Sequence, residues 1–141
     1  MKPAERRKAR QFATQAIYQW QMTNDNIANI EHQFMTDHDM SKADVPYFSL
    51  LIAGVAANAN KLDQAMASSL SRKLEELDMV EHAILRIGMY ELLMVDGIPP
   101  KVVINEAIEL AKSFAAEDSH KFINGVMDKV LRLQDLKSKP N

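Results

Sequence analysis

The chain has 141 residues, with 17 Lys and Arg against 19 Asp and Glu, a net charge of −2 and no cysteine. That length predicts one domain, able to bury roughly 68–70% of its unfolded surface, and the lack of cysteine excludes disulfides, thiolate catalysis and cysteine-based zinc sites. No apolar run approaches the ~18 residues of a membrane span, and none follows the basic start as in a signal peptide, so a cytoplasmic protein is expected. The charge is unevenly placed. Met1 to Arg10 holds five bases against one acid, net +4, which leaves −6 for the other 131 residues. A basic block opening an otherwise acidic chain has the electrostatic character of a nucleic-acid contact.

Helical periodicity runs through almost the whole sequence, and strand alternation is nearly absent. Pro3 suits a first helical turn. From there Ala9, Phe12, Ala13, Ala16 and Trp20 mark one face of an amphipathic, arginine-rich helix within residues 1–21. Arg7, Arg10, Thr14 and Tyr18 fall on a different side, expected to face solvent. Thr23-Asn-Asp-Asn26 ends this helix and caps a second one carrying Ile27, Ile30 and Phe34. Thr36 to Asp44 reads as a loop, and Asp44 as the N-cap of a third helix on Phe48, Leu51, Ile52, Val55, Ala59, Leu62 and Met66.

Leu70, Leu74 and Leu77 suggest a shorter helix with an acidic flank, Glu75, Glu76 and Asp78. Val80 to Val95 continues as another helix, stopped by Asp96-Gly97 ahead of Ile98-Pro99-Pro100. Pro100 opens the next, with Val103, Ala107, Leu110, Ala111 and Phe114 on its buried side. Asn105-Glu106 is a polar spot inside it. A last helix begins near Asp118-Ser119, on Ile123, Val126, Val130 and Leu133, and residues 136–141 are expected to form a flexible tail. Gly125 in its interior costs about 1 kcal/mol relative to alanine, which suggests close approach of a neighbouring helix. The expectation is a single all-α domain over residues 1–141, a bundle of about seven helices.

An enzyme is not expected. His32, His38, His82 and His120 never show the i, i+4 spacing of a helical metal pair. Asp37-His38-Asp39 is the composition of a solvated loop, so no metal site and no cofactor is expected. Asp118-Ser119-His120 contains triad residue types, but adjacent residues cannot point at one another as a triad requires. There is no glycine-rich phosphate cradle. By contrast, cationic side chains for phosphates beside aromatic faces for bases are what single-stranded RNA needs. The first helix has both. Its positive dipole end lies beside its own bases, so the segment could order only when an anion binds. The bland alternatives are a solubilising basic terminus with Tyr18 as a half-buried ring. The acidic residues Glu75, Glu76, Asp78 and Glu81 read either as a solvated face or as a docking surface for a basic protein. Phe122 lies about 100° from the Ile123 face, as a stacking platform or as secondary core.

Several motifs resemble one family. Val103-Ile-Asn-Glu-Ala-Ile-Glu-Leu-Ala-Lys-Ser-Phe114, followed by Ser119-His-Lys-Phe-Ile-Asn-Gly-Val126, is similar to the signature of the bacterial NusB transcription antitermination family. Arg6-Arg-Lys-Ala-Arg10 with Ala16-Ile-Tyr-Gln-Trp20 resembles that family's arginine-rich helix. Leu70-Ser-Arg-Lys-Leu-Glu-Glu-Leu77 and Ile84-Leu-Arg-Ile-Gly-Met-Tyr-Glu-Leu92 are similar to its middle helices. A related domain precedes some ribosomal RNA methyltransferases, but no glycine-rich methyl-donor fold follows here. His82 stands where the family would suggest lysine, making one RNA-facing charge pH-dependent.

The resemblance implies two packed helical subdomains and a non-enzymatic factor binding boxA RNA of ribosomal RNA leader transcripts. It implies the ribosomal protein NusE as partner, within an RNA polymerase antitermination complex containing other Nus factors. On that basis Lys2, Arg6, Arg7, Lys8 and Arg10 are expected to neutralise phosphates, and Tyr18 and Phe122 to stack on bases. Glu81 is expected to accept from a base edge, with Lys121 and Asn124 adding contacts. Arg72, Glu75, Glu76 and Glu81 are the expected partner surface. Four or five phosphate contacts on a single strand predict a log–log salt slope of roughly −3 to −3.5. The rival reading is a protein-interaction scaffold that binds no RNA.

Overall fold

The computed structural model describes residues 2–138. They form α1 (Pro3–Thr23), α2 (Ile27–Asp37), α3 (Val45–Ala67), a 3-10 turn (Leu74–Glu76), α4 (Met79–Met94), α5 (Pro100–Phe114) and α6 (Ser119–Ser138). No strand occurs among the described residues. The architecture is all-α, with six α-helices among the described residues, not about seven. The segment read as an extra helix is a 3-10 turn entered and left through extended backbone at Lys73 and Leu77. Its leucines reach the core from a connection: Leu77 is buried, and Leu70 and Leu74 pack against the core edge. Three serines in Ser68 to Ser71 favour local turn bonding over a helix interior. At the other end, α6 continues through Ser138, so the first part of the expected tail, residues 136–138, lies within that helix. Residues 139–141 lie outside the described residues.

Local chemistry sets the helix ends. Asn24 closes α1 in the left-handed region (φ 57°), its N–H donating to Trp20 O, a conformation that asparagine tolerates. Asn26 caps α2 by accepting from Ala28 N, and Asp44 caps α3 by accepting from Tyr47 N. Asp78 accepts from Val80 N and Glu81 N, while Glu81 accepts from Asp78 N, a reciprocal capping box opening α4.

The core is one continuous cluster drawn from all six helices. Helix α4 is its axis, packing on α1 and α3 on one side and on α5 and α6 on the other. Its apolar girth explains this: Ala83, Ile84, Leu85, Ile87 and Met89 are all essentially inaccessible. Gly54 lets α3 approach α4, because a Cβ there would clash with the hydroxyl end of the Tyr90 side chain. Gly125 has no such role, since nothing lies within 4 Å of where its Cβ would be. Phe114 and Leu133, expected in the core, stand at its exposed edge.

Candidate nucleic-acid interface

Helix α1 displays its basic residues less freely than its periodicity suggests. Arg10 is only 4% exposed and Thr14 only 2%. The Arg10 guanidinium donates through Nε to both carboxylate oxygens of Glu91 at 2.9–3.0 Å, and through Nη1 to Glu106 Oε1 at 3.3 Å. Tyr47 donates its hydroxyl to Glu91 from the far side. Burial works against the Arg10 charge, but the hydrogen bonds and charge of Glu91 outweigh it and hold the pKa above its ordinary value. Burial, with the Glu91 charge beside it, pushes the Tyr47 phenol pKa up. Arg10 is therefore a core ion, and its expected phosphate contact is corrected. The helix rotates further inward than a solvent-facing Arg7–Tyr18 line requires, because two carboxylates from α4 and α5 receive Arg10 inside.

Arg6 and Arg7 are handled differently. Arg6 lies 3.9 Å over the Tyr47 ring and 3.5 Å from Asp44 Oδ2. Arg7 donates side-on to Glu106, Nε to Oε1 at 3.2 Å and Nη2 to Oε2 at 2.8 Å, with its side chain 57% exposed. Those bonds raise the Arg7 pKa. The backbone is tied as well, Asp44 N donating to Glu5 O at 3.0 Å. Asp44, Glu91 and Glu106 thus supply the negative charge that an RNA phosphate was expected to bring, and α1 is helical from Pro3 without it. Lys2 and Lys8 are exposed on the same end, Lys8 Nζ lying 5.3 Å over the Phe12 ring.

Farther along α1, Tyr18 (38% exposed) borders an open groove of about 540 Å³. Gln15, Gln19 and Met22 line it from α1, His38 from the end of α2, Val80 from α4 and Phe114 from α5. The rings of Tyr18, His38 and Phe114 with the two glutamine amides offer stacking faces and hydrogen-bond edges together. His38 is itself stacked on Phe34, centroids 4.7 Å apart. Of these residues the sequence points to Tyr18 alone as an RNA contact, placing Phe114 in the core and His38 in a solvated loop. The i, i+4 repeat Gln11, Gln15, Gln19 next to Tyr18 was the available signal.

Val80 leads to a second cluster beside the start of α6. Arg72 lies 3.8 Å above the Phe122 ring and contacts Glu81 Oε1 at 3.4 Å. Glu81 is 5% exposed; its other oxygen accepts from Ser119 Oγ at 2.8 Å, so both oxygens are engaged within the protein. That corrects its placement on an exposed acidic face and its expected contact with a base edge. The capping box and Ser119 draw it inward. Glu75, Glu76 and Asp78 do remain exposed, as does Lys121, which pairs with Asp118 at 3.3 Å; Asn124 is half-buried. Arg72, Glu81, Phe122 and Ser119 are brought together, although 47 residues separate Arg72 from Ser119. His82 turns away from this face. Its Nε2 is 2.8 Å from buried Asp63, which Arg86 also holds through Nε and Nη2 at 3.0 and 2.8 Å.

Among the described residues no group of three His, Asp or Glu side chains is arranged to hold a metal ion, and no helix is long and apolar enough to cross a membrane. Residues 7–132, most of the chain, match the sequence profile of the NusB family. The chain belongs to the NusB family. The transcription antitermination protein NusB of Aeromonas salmonicida (strain A449) is 62% identical over 132 residues, 94% of this chain and 96% of that protein. That of Serratia proteamaculans (strain 568) is 59% identical over 130 residues, covering 92% and 94%. Among solved structures, that of T. maritima NusB superposes with a TM-score of 0.81 at 29% identity, over 94% of this chain and 93% of that one. A chain from a crystal structure of antitermination factors NusB and NusE in complex with dsRNA shares the fold, with a TM-score of 0.78 at 23% identity over 90% and 96%. The NusB-family match begins at Arg7, so Lys2 and Arg6 lie just outside it.

Proposed function

We propose that this protein binds boxA RNA of ribosomal RNA leader transcripts together with NusE, within an RNA polymerase antitermination complex that includes other Nus factors. One observation carries the RNA reading: Arg7 is braced at the surface of α1, on the helix that also presents Tyr18 beside a groove of aromatic rings and amides. Lys2, Arg6, Arg7 and Lys8 neutralise phosphates, and Tyr18 stacks on a base. Phe122, covered by the Arg72 plane, forms a second stack in which the guanidinium is the outer layer, with Lys121 and Asn124 beside it. The exposed acids Glu75 and Glu76 suit a basic partner such as NusE. The antitermination names of the relatives and the NusB–NusE–dsRNA neighbour support the assignment.

With Arg10 inside, four phosphate contacts on a single strand predict a salt slope of about −2.8. The test is binding of single-stranded boxA RNA, its duplex and a scrambled strand, with and without NusE, at two salt concentrations. Preference for boxA that strengthens with NusE supports the reading; equal affinity for all three RNAs contradicts it. The scaffold reading draws on the internal pairing of Arg6, Arg7 and Arg10, and requires no RNA affinity even with NusE present.

A further inference from the structure

Glu106 sits between the interior and the proposed RNA surface. A chain of hydrogen bonds runs from Tyr47 on α3 to Glu91 on α4, to Arg10 on α1, to Glu106 on α5 and back to Arg7 on α1. Exposure is 4% at Tyr47, 2% at Glu91, 4% at Arg10 and 9% at Glu106. Only the last link, Arg7, reaches solvent. Its guanidinium has five N–H donors, and Glu106 engages the edge formed by Nε and Nη2. The Glu106 contacts leave the end of the guanidinium, one N–H of Nη1 beside one of Nη2, as a fork that matches two phosphate oxygens. Beside it lies a groove of about 590 Å³ bordered by Pro3, Arg6, Pro99, Val102 and Asn105.

We propose that Glu106 is a positioning residue for RNA recognition, its buried carboxylate fixing the Arg7 guanidinium with the unused fork turned to the RNA backbone. This rests on α1 being the RNA-binding helix. An exposed arginine ordinarily loses much rotamer freedom when it grips a phosphate; here folding has already removed it. The carboxylate also carries a charge that opposes RNA, so positioning and repulsion act in opposite directions. Their signs separate them.

The experiment is RNA binding to the full chain by Arg7→Ala, Glu106→Gln, Glu106→Asp and the Arg7→Ala/Glu106→Gln double variant. The probe is single-stranded boxA RNA across a salt series, with circular dichroism of each protein. Loss of one phosphate contact flattens the salt slope by about 0.7 and weakens binding about fivefold near 0.1 M salt. That loss is expected for Arg7→Ala and for Glu106→Gln, with no further loss in the double variant. Glu106→Asp keeps the charge facing Arg10 but shortens the reach to Arg7, and is expected to show the same loss with the fold intact. It decides the matter should Glu106→Gln unfold. Tighter binding by Glu106→Gln, additive losses in the double variant, or a Glu106→Asp protein that binds like the wild type would overturn the positioning role. Arg7→Ala without effect on affinity or slope would overturn the reading of α1 itself, and the positioning role with it.

Discussion

Replacing Arg10 by methionine keeps most of the side-chain stem and removes the guanidinium that Glu91 and Glu106 share. Glu106 retains Arg7, but Glu91, 2% exposed, is left with Tyr47 as its remaining hydrogen-bond partner here. Breaking a buried pair by removing one partner costs about 3–5 kcal/mol, because an uncompensated charge stays in the interior. A domain is stable by about 5–15 kcal/mol in total. The expected loss is therefore a large fraction of it, equivalent to a melting temperature lower by roughly 10–15 °C at this size. Urea unfolding followed by circular dichroism reads it directly. The companion Glu91→Leu in the same chain removes the stranded charge and should recover half or more of the loss, a coupling that additive sites do not show. Arg7→Met, at the solvent-exposed end of the network, should cost no more than about 1 kcal/mol. An Arg10→Met protein within about 1 kcal/mol of the wild type, or strictly additive Arg10 and Glu91 effects, would refute the argument that α1 is held down by a buried ion pair.

Other expectations follow from single contacts. Gly54→Ala should destabilise by about 2 kcal/mol because its methyl meets the Tyr90 ring, whereas Gly125→Ala, in open space, should stabilise by about 0.5–1 kcal/mol; opposite shifts in urea midpoint check the pair. Asp63 is held below its ordinary pKa: burial favours the neutral form, but hydrogen bonds from His82 and Arg86 outweigh it. Its contribution is thus present above the unfolded carboxylate pKa and lost as pH falls through the lower folded value. Asp63→Asn should accordingly be less stable than the wild type at neutral pH, and the gap should narrow below about pH 4. In RNA binding, Tyr18→Ala should weaken affinity by about 1–3 kcal/mol with an unchanged salt slope, since stacking neutralises no phosphate; a flattened slope would argue against stacking.

The helices were legible because their signals are local. Periodic Phe12, Ala13 and Ala16, the caps Asn26, Asp44 and Asp78, and the Gly97-Ile-Pro-Pro stop each act within a turn or two of the chain. The same locality misled at Leu70, Leu74 and Leu77, where helical spacing also fits a turn laid against the core. Family membership was legible too, since several motifs stood in order along one sequence. What could not be read was the side on which a charge ends. Arg7 and Arg10 share a helix and a residue type, yet one is a surface donor and the other a core ion. The difference is made by Glu91 and Glu106, more than 80 residues away, which stand at apolar-looking positions of their own helices. Glu81 is decided similarly, by Ser119 and Arg72. Helix formation depends on neighbours along the chain, so the sequence by itself determined it; burial of an ion depends on counter-charges across the packing interface, which only the tertiary structure brings together.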